Sequence, residues 1–376
     1  MVRRRLRPFV LGGLLTFDNL GCRRIRLVAL LATVTLLLPG CGALSSGSTG
    51  DASRRVVVDS WGGVFQQAQS QVLFEPYTEQ TGTEVVQLSD AENMYAKVKA
   101  QAARPTGEID LVHGDASWLT RGQRENLWAP IDPATYSDTG IFADALASHG
   151  VGILYWSMNI VHNHDAFPGG GPTTWKQVWD HAIAHPRRVA LFGARPNYVL
   201  EAALLADGVA PGELYPLTDK KIDQAYASLD RIKDKVLWYE SGAQGARYFT
   251  EDQVDVAMFY GGDAYGLVDK GEPLEVGWNQ GIYTRDYWMI PANAPNREGA
   301  LDLLRFALGP RHQAEMARRT GNGPVTEQAV ALLEPRYRAR MASVEPQKSQ
   351  QLSYDWEWWG EHDDEQLTRW TEWLRG

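Results

Sequence analysis

The segment "RVVVDSWGGVFQQAQSQVLFEPYTEQTG", residues 55–82, decides the fold class. Its first five residues are mostly β-branched, which is typical of a buried strand, and a Gly pair soon follows. Val64, Ala68 and Val72 then recur at helical spacing, and Gly82 is a helix stop signal. A strand that leads into a helix is the repeating unit of an α/β fold, so we predict a largely parallel sheet with helices on its faces.

The same alternation continues in both directions, with two long extended segments. "GVGILYWSMNIVHNHDAF" (150–167) is too long for one strand of a small sheet, and "GIYTRDYWMIP" (281–291) is a return segment. We predict two lobes, 55–153 and 154–281, with 282–376 forming the return crossing, the rest of lobe 1 and C-terminal helices. The two crossings make a hinge beside a cleft, where open α/β sheets usually hold ligands.

Composition and charge limit the possible partners. The 376 residues are 44% hydrophobic and 22% charged, an ordinary globular composition. The first 40 residues hold seven Arg and one Asp, so the remainder carries 30 basic and 45 acidic side chains, a net charge of −15. Because nucleic-acid binding requires a basic surface, we expect no nucleic-acid partner.

The amino terminus has the pattern of a secretory signal. Arginines at 23, 24 and 26 precede the 14-residue apolar run "LVALLATVTLLLPG", which is shorter than a membrane span. The following "LLPGCGALSSGSTGD" resembles a bacterial lipobox whose thiol, on Cys41, would be acylated. We predict a signal peptide over 1–40 and a lipidated flexible tether over 41–54. The predicted location is the outer face of the cell membrane or the periplasm.

The return segment "GIYTRDYWMIP" contains an unexpected acid. Alternation along a strand places Thr284, Asp286 and Trp288 on one side. A carboxylate beside an indole ring is suited to holding a cation. An acid at a strand end can also simply bond backbone amides, and both interpretations stay open here.

The chain resembles the substrate-binding proteins of bacterial ABC transporters, of the type II periplasmic-binding fold, in the branch of spermidine/putrescine receptors. The resemblance rests on "SWGGVFQQAQ", "IDLVHGDASW", "TTWKQVWD", "VLEAALLADGVAPGELYPL", "QVDVAMFYGGDAYGL" and "YWMIPANAPNREGALDLLRFAL", in that order over residues 55–375. It implies two α/β lobes, a small-molecule ligand, an ABC permease as partner, no cofactor and a monomer.

The resemblance also implies site residues. Receptors of this branch embrace an ammonium group with an aromatic after the first strand, aromatics on the second lobe and an aspartate on the return crossing; Trp61, Tyr260 and Asp286 hold these positions. Arg195 and Tyr198 stand where carboxylates for the far amine are expected. Thr284 replaces an expected tryptophan.

These departures leave two ligand classes open. A polyamine-like solute is the main hypothesis. An arginine would repel a second ammonium and offer a planar fork to a carboxylate, so Arg195 with Asp286 or Asp115 suits an ω-amino acid or an opine-like zwitterion. Asp115, between a strand and a helix in "HGDAS", is also placed to cap that helix. The predicted ligand-binding residues are Trp61, Asp115, Arg195, Tyr198, Tyr260, Asp286 and Trp288.

Other functional classes have weaker support. The chain lacks a G-x-S-x-G, H-E-x-x-H, Walker or dinucleotide-binding motif, so a secreted hydrolase is a remote alternative. "HNHD" (162–165) and "EHDDE" (361–365) hold metal-ligating residue types, but such clusters are more often solvated, and we predict no metal site. A purely structural surface lipoprotein would bind no small molecule.

Overall fold

The computed structural model describes residues 54–89 and 93–376. Cys41, the predicted signal peptide and nearly all of the predicted tether lie outside these residues. Within the described residues no helix is both long and apolar enough to cross a membrane.

The described chain contains ten β-strands and fourteen α-helices, besides short 3-10 and π-helical segments. The strands are β1 (Arg55–Asp59), β2 (Glu84–Leu88), β3 (Leu111–Asp115), β4 (Leu146–Ala147), β5 (Gly150–Asn163), β6 (Val189–Phe192), β7 (Leu237–Tyr239), β8 (Val256–Tyr260), β9 (Leu274–Met289) and β10 (Leu352–Ser353). The helices are α1 (Gly63–Gln69), α2 (Glu75–Thr81), α3 (Met94–Gln101), α4 (Ala116–Arg124), α5 (Trp175–Ala184), α6 (Val199–Ala206), α7 (Asp219–Asp230), α8 (Gly242–Thr250), α9 (Gly261–Val268), α10 (Arg297–Ala307), α11 (Pro310–Thr320), α12 (Glu327–Ala331), α13 (Pro335–Arg338) and α14 (Trp356–Arg375).

The strands form one mixed sheet in the order β2-β1-β3-β9-β5-β8-β6-β7, with β4 beside β5 and β10 beside β9. Strand β1 is parallel to β2 and β3, and β6 is parallel to β7 and β8. Strand β9 is antiparallel to β3 and β5, and β5 is antiparallel to β8. The predicted α/β class, with mostly parallel strands flanked by helices, is confirmed.

The long strands β5 and β9 join the two halves of the sheet. They pair with each other over most of their length, while β3 pairs with one end of β9 and β8 with the opposite end of β5. We call the half with β1–β3 lobe 1 and the half with β6–β8 lobe 2. The predicted crossings near 155 and 285 are the middles of these strands. Since they stay hydrogen-bonded there, the two lobes share one continuous sheet.

Each lobe has its own apolar core. Val58 and Leu111 are fully buried in lobe 1, and Leu191 and Phe259 are fully buried in lobe 2. Burial of each such side chain contributes about 1.5–3 kcal/mol. The partly buried ring of Trp156, in the middle of β5, packs against both cores. Separate cores joined by two strands allow the lobes to move as units about that junction.

The C-terminal helix α14 contacts both lobes. Its Gly360 packs against α4 of lobe 1 so closely that an added Cβ would lie 2.6 Å from Cβ of Thr120. On the other side, Nε1 of the buried Trp359 donates to Oε1 of Glu201 in α6 at 2.6 Å. Helix α14, which lies in the region of the predicted C-terminal helices, therefore packs against both lobes.

Candidate functional site

Asp286 lies where the two lobes share their strands. In the register of the sheet it is opposite Asp115 of β3 and Leu154 of β5. The residue is only 6% exposed. A carboxylate this well buried must be hydrogen-bonded to remain stable, so its partners define the chemistry of the site.

Three ring nitrogens contact the Asp286 carboxylate. Nε1 of Trp61 donates to Oδ2 at 2.8 Å, and Nε2 of His113 lies 3.1 Å from the same oxygen. Nε1 of Trp156 donates to Oδ1 at 2.7 Å. Each carboxylate oxygen has about two acceptor positions. Since Trp156 is the single partner of Oδ1 among the described residues, that oxygen can accept one further donor.

The two tryptophans reach Asp286 from different elements. Trp61 follows β1 and precedes Gly62, whose φ of +77° is a backbone conformation that favours glycine. Trp156 projects from the middle of β5, and its ring centre lies 5.3 Å from that of Tyr198 and 5.5 Å from that of Tyr260. Each indole therefore donates its N–H to the Asp286 carboxylate, and the Trp156 ring also contacts the rings of Tyr198 and Tyr260.

Asp115 serves as a helix cap and as part of the site. Its Oδ1 accepts from the backbone N of Ser117 at 2.8 Å, which caps α4. Its Oδ2 accepts from the hydroxyl of Tyr198, in lobe 2, at 3.3 Å. Burial, followed by the charge of Asp286 opposite, raises the pKa of Asp115 to about 6. A second carboxylate thus lies beside the first, and it is easier to protonate than an ordinary aspartate.

Lobe 2 supplies aromatic rings. Tyr198 precedes α6 with a φ of +69°, a strained conformation for a residue with a side chain. Its ring centre lies 4.8 Å from that of Tyr354. Tyr260 ends β8 immediately before α9. The rings of Tyr198 and Tyr260 contact Trp156, and Tyr198 also bonds Asp115; aromatic rings beside carboxylates suit a cationic group with an apolar chain.

A family model described as bacterial extracellular solute-binding protein matches residues 73–342, well over half of the chain. The chain belongs to this family. The receptor is thus an extracytoplasmic solute-binding protein that works with an ABC-transporter permease, as the residues had predicted.

Curated relatives span most of the receptor. It is 29% identical over 324 residues to the gamma-aminobutyric acid-binding protein of Pseudomonas aeruginosa, a match that covers 85% of this chain and 91% of that protein. It is 27% identical over 275 residues to the spermidine/putrescine-binding periplasmic protein of Escherichia coli K12, covering 70% and 76%. These relatives are binding proteins of transport systems.

Solved structures support the two-lobed fold. A GABA receptor superposes with a TM-score of 0.78 at 28% identity, covering 85% of this chain and 97% of that one. A binding protein of Agrobacterium tumefaciens R10 in complex with agropinic acid has a TM-score of 0.74 at 27% identity, covering 86% and 99%. The predicted type II periplasmic-binding architecture is confirmed.

Arg195 lies at the edge of the receptor's ring cluster. It follows β6, and its half-exposed side chain donates from Nη1 to Oδ2 of Asp363 in α14 at 3.0 Å. Its charge opposes the burial that raises the pKa of Tyr260, so it lies within electrostatic reach of that ring. Asp364 pairs with Arg121 instead. The two aspartates of "EHDDE" therefore form ion pairs, and the described residues contain no cluster of three or more metal-ligating side chains.

Trp288 lies in the core of lobe 1 and is fully buried. Its ring centre lies 6.3 Å from that of Phe74 and 6.2 Å from that of His113. In this structure Trp288 therefore adjoins the site through His113 and presents no surface of its own. The other predicted residues Trp61, Asp115, Tyr198, Tyr260 and Asp286 lie together, with Arg195 beside them.

Three residues near Asp286 and Tyr198 were not among the predicted ones: Trp156, His113 and Tyr354. Trp156 lies in the very segment that was predicted to cross between the lobes, and an indole in such a crossing is itself a signal for a cleft residue. His113 lies two residues before Asp115 on β3, so strand alternation places both on one face. Tyr354 belongs to an irregular segment before α14 and has no comparable signal.

Proposed function

We propose that this receptor captures a small amine-bearing solute between its lobes, with a polyamine-like ligand as the first candidate. The observation that carries the proposal is the Asp286 carboxylate, held by the N–H groups of Trp61 and Trp156 with an acceptor position of Oδ1 still available. A primary ammonium supplies the missing donor. Asp115 provides a second carboxylate for a second ammonium.

The energetics of this site are sufficient for a transport receptor. Hydrogen bonds to the two charged groups Asp286 and Asp115 contribute about 3–6 kcal/mol together, and two desolvated rings beside the cations add about 4 kcal/mol. A micromolar dissociation constant requires about −8 kcal/mol net. Ligand contacts from both lobes exist together in the closed form, so binding shifts the receptor toward the form presented to the permease.

An ω-amino acid or opine-like zwitterion is the second candidate, and Arg195 favours it. The guanidinium offers a planar fork to a carboxylate, and relatives include a gamma-aminobutyric acid-binding protein. The ion pair with Asp363 offsets the charge of Arg195 in the unliganded receptor. This pairing reduces the repulsion of a second ammonium, so both ligand classes fit the same cleft.

A thermal-shift screen tests the proposal. Putrescine, spermidine, gamma-aminobutyric acid and an opine are each added to the purified receptor, with glucose and succinate as controls that lack an amine. A ligand at 100 times its dissociation constant stabilises the folded state by about 2.7 kcal/mol, which we expect for at least one amine. A shift with succinate or glucose alone, or turnover of a bound amine, would contradict the proposal.

We also propose how the receptor is anchored and in what oligomeric state it works. We propose acylation of Cys41, cleavage after 40, a tether over 41–54 and a monomeric receptor that performs no chemistry on its ligand. The predicted lobe boundaries at 153 and 281 remain part of the proposal. Cys41→Ser should release the receptor from the membrane fraction; retention of this variant would show that another segment anchors it.

A further inference from the structure

His113 connects Asp286 to a buried chain of polar side chains in lobe 1. His113, Gln69 and Ser60 are all at most 1% exposed. Nε2 of Gln69 lies 3.0 Å from Nδ1 of His113, and the hydroxyl of Ser60 donates to Oε1 of Gln69 at 2.5 Å. The chain ends at Asp286, 3.1 Å from Nε2 of His113.

The direction of these hydrogen bonds determines which imidazole nitrogen carries the proton. The amide nitrogen of Gln69 can only donate, so Nδ1 of His113 must accept. The proton of a neutral imidazole therefore lies on Nε2 and points at Asp286. The reversed amide would place a lone pair of Nε2 against a carboxylate oxygen, which is repulsive.

We infer that His113, held in this tautomer by Gln69 and Ser60, is a positioning residue for the ligand-binding carboxylate. Its N–H occupies the second acceptor position of Oδ2, and Trp61 occupies the first. The carboxylate cannot then rotate without losing a donor. The remaining acceptor position of Oδ1 is held toward the incoming ammonium, so the receptor does not need to order the carboxylate when ligand binds. This inference rests on the proposed role of Asp286.

A purely packing role for His113 makes a different prediction. The ring centres of Phe65 and Trp288 lie 5.3 Å and 6.2 Å from that of His113, and Trp61 lies 6.1 Å away. If packing alone matters, loss of affinity should follow loss of ring volume. If positioning matters, it should follow loss of the donor at the Nε2 position.

Two substitutions of similar length and volume separate these roles. His113→Gln can place an N–H near the Nε2 position, whereas His113→Met fills a similar space without a donor. We expect affinity for the best amine of the thermal-shift screen to fall less than threefold in His113→Gln and about tenfold or more in His113→Met, because a bond to a charged group is lost. Equal losses in the two variants would overturn the positioning role.

Nitrogen NMR of the unsubstituted receptor tests the tautomer without ligand. We expect a neutral imidazole protonated at Nε2, and a mixed tautomer in Gln69→Leu, where the donor to Nδ1 is gone. Protonation at Nδ1 in the unsubstituted receptor would overturn the inference. Asp286→Asn keeps this test separate from the proposed function. If that variant retains amine affinity the proposed function fails, whereas loss in Asp286→Asn with none in His113→Met refutes positioning alone.

Discussion

The two lobes contribute unlike chemistry to the surroundings of Asp286. Lobe 1 supplies Asp286 and Asp115, and its Trp61 and His113 contact the Asp286 carboxylate. Lobe 2 supplies the rings of Tyr198 and Tyr260 together with the half-exposed Arg195. One side is a fixed anionic group in a buried polar network, and the other is an aromatic wall with a partly exposed cation at its edge.

This difference suggests that the two lobes have separate roles in ligand recognition. A fixed carboxylate recognises the ammonium that both candidate ligand classes share, because the charge-assisted bond is the same in each. The lobe 2 side distinguishes them, because Arg195 attracts the carboxylate of an ω-amino acid and repels a second ammonium. Lobe 1 should therefore set whether an amine binds, and lobe 2 should set which amine binds.

The strongest test of the lobe 1 side is Asp286→Asn. The variant keeps the volume but removes the counter-charge and places an amide donor among three N–H groups. We expect amine affinity, measured by calorimetry, to fall about 100-fold or more, because truncating one partner of a buried charge pair typically costs 2–5 kcal/mol.

Glu275→Gln is the matched control for this change. Glu275 lies on the same strand, and its side chain is 67% exposed. We expect the amine affinity of Glu275→Gln to be unchanged. A loss below threefold in Asp286→Asn would remove the distinction between the two sides and with it the proposed amine site.

Arg195→Ala tests the lobe 2 side. If the ligand carries a carboxylate, affinity should fall about tenfold or more, because a charged hydrogen-bond donor is lost. If the ligand is a polyamine, affinity should stay the same or rise. Calorimetry with putrescine and gamma-aminobutyric acid gives both values.

Arg231→Ala controls for the loss of a lobe 2 ion pair. Arg231 pairs with Asp207 at 3.0 Å, the same distance as Arg195 to Asp363, and both arginines are about half-exposed. Its removal should change neither affinity. Equal effects of the two substitutions would show that Arg195 acts through stability and not through ligand contact.

The sequence predicted the lobe 1 acid better than its partners. Strand alternation and the apolar neighbours of Asp286 indicated its unusual position. The contact with Trp156 depends on the register of two strands 130 residues apart, including shifts that alternation alone cannot reveal. The pairing of Arg195 with Asp363 joins residues 168 apart and depends on where α14 packs. Local pattern thus predicted the elements and their order, while side-chain partners depended on the tertiary arrangement.

The pH dependence of binding tests how the two lobe 1 carboxylates differ. Since the pKa of Asp115 is raised to about 6, a ligand that needs this group ionised should bind equally well at pH 7 and 8. Below pH 6 its affinity should fall by up to about tenfold per pH unit, as one proton competes with the ammonium. Calorimetry from pH 5 to 8 measures this profile.

Asp115→Asn is the control for the pH profile, because Asn also caps helices well. The variant should bind a diamine more weakly at pH 8 and lose the fall below pH 6. An unchanged fall would assign the titration to another group.

The raised pKa of Asp115 also has a consequence for stability. Its stabilising contribution to the unliganded fold is present below the ordinary aspartate pKa of about 3.9 and is lost as pH rises through about 6. The Asp115→Asn variant should then be more stable than the unsubstituted receptor at pH 8, with the gap closing toward pH 4. Thermal unfolding at the two pH values measures this, and a gap that widens on acidification would contradict the sign.

The smallest expected effect concerns Trp156, which contacts both Asp286 and the aromatic rings of lobe 2. Trp156→Phe keeps a ring against Tyr198 and Tyr260 but removes the donor to Oδ1 of Asp286. The carboxylate retains two other N–H donors, and the vacated position of Oδ1 can accept from the ligand. We therefore expect amine affinity to fall only about three- to tenfold.

Trp238→Phe is the matched control, because it loses an indole donor to the backbone oxygen of Lys233 at 3.1 Å, in lobe 2. Both variants should lose about 0.5–3 kcal/mol of unfolding free energy, but only Trp156→Phe should weaken amine binding. If binding falls equally in both, the Trp156 donor matters for folding alone. If Trp156→Phe loses as much affinity as Asp286→Asn, strand β5 acts with lobe 1 in holding the carboxylate. The boundary between the roles of the two lobes then lies on the lobe 2 side of β5.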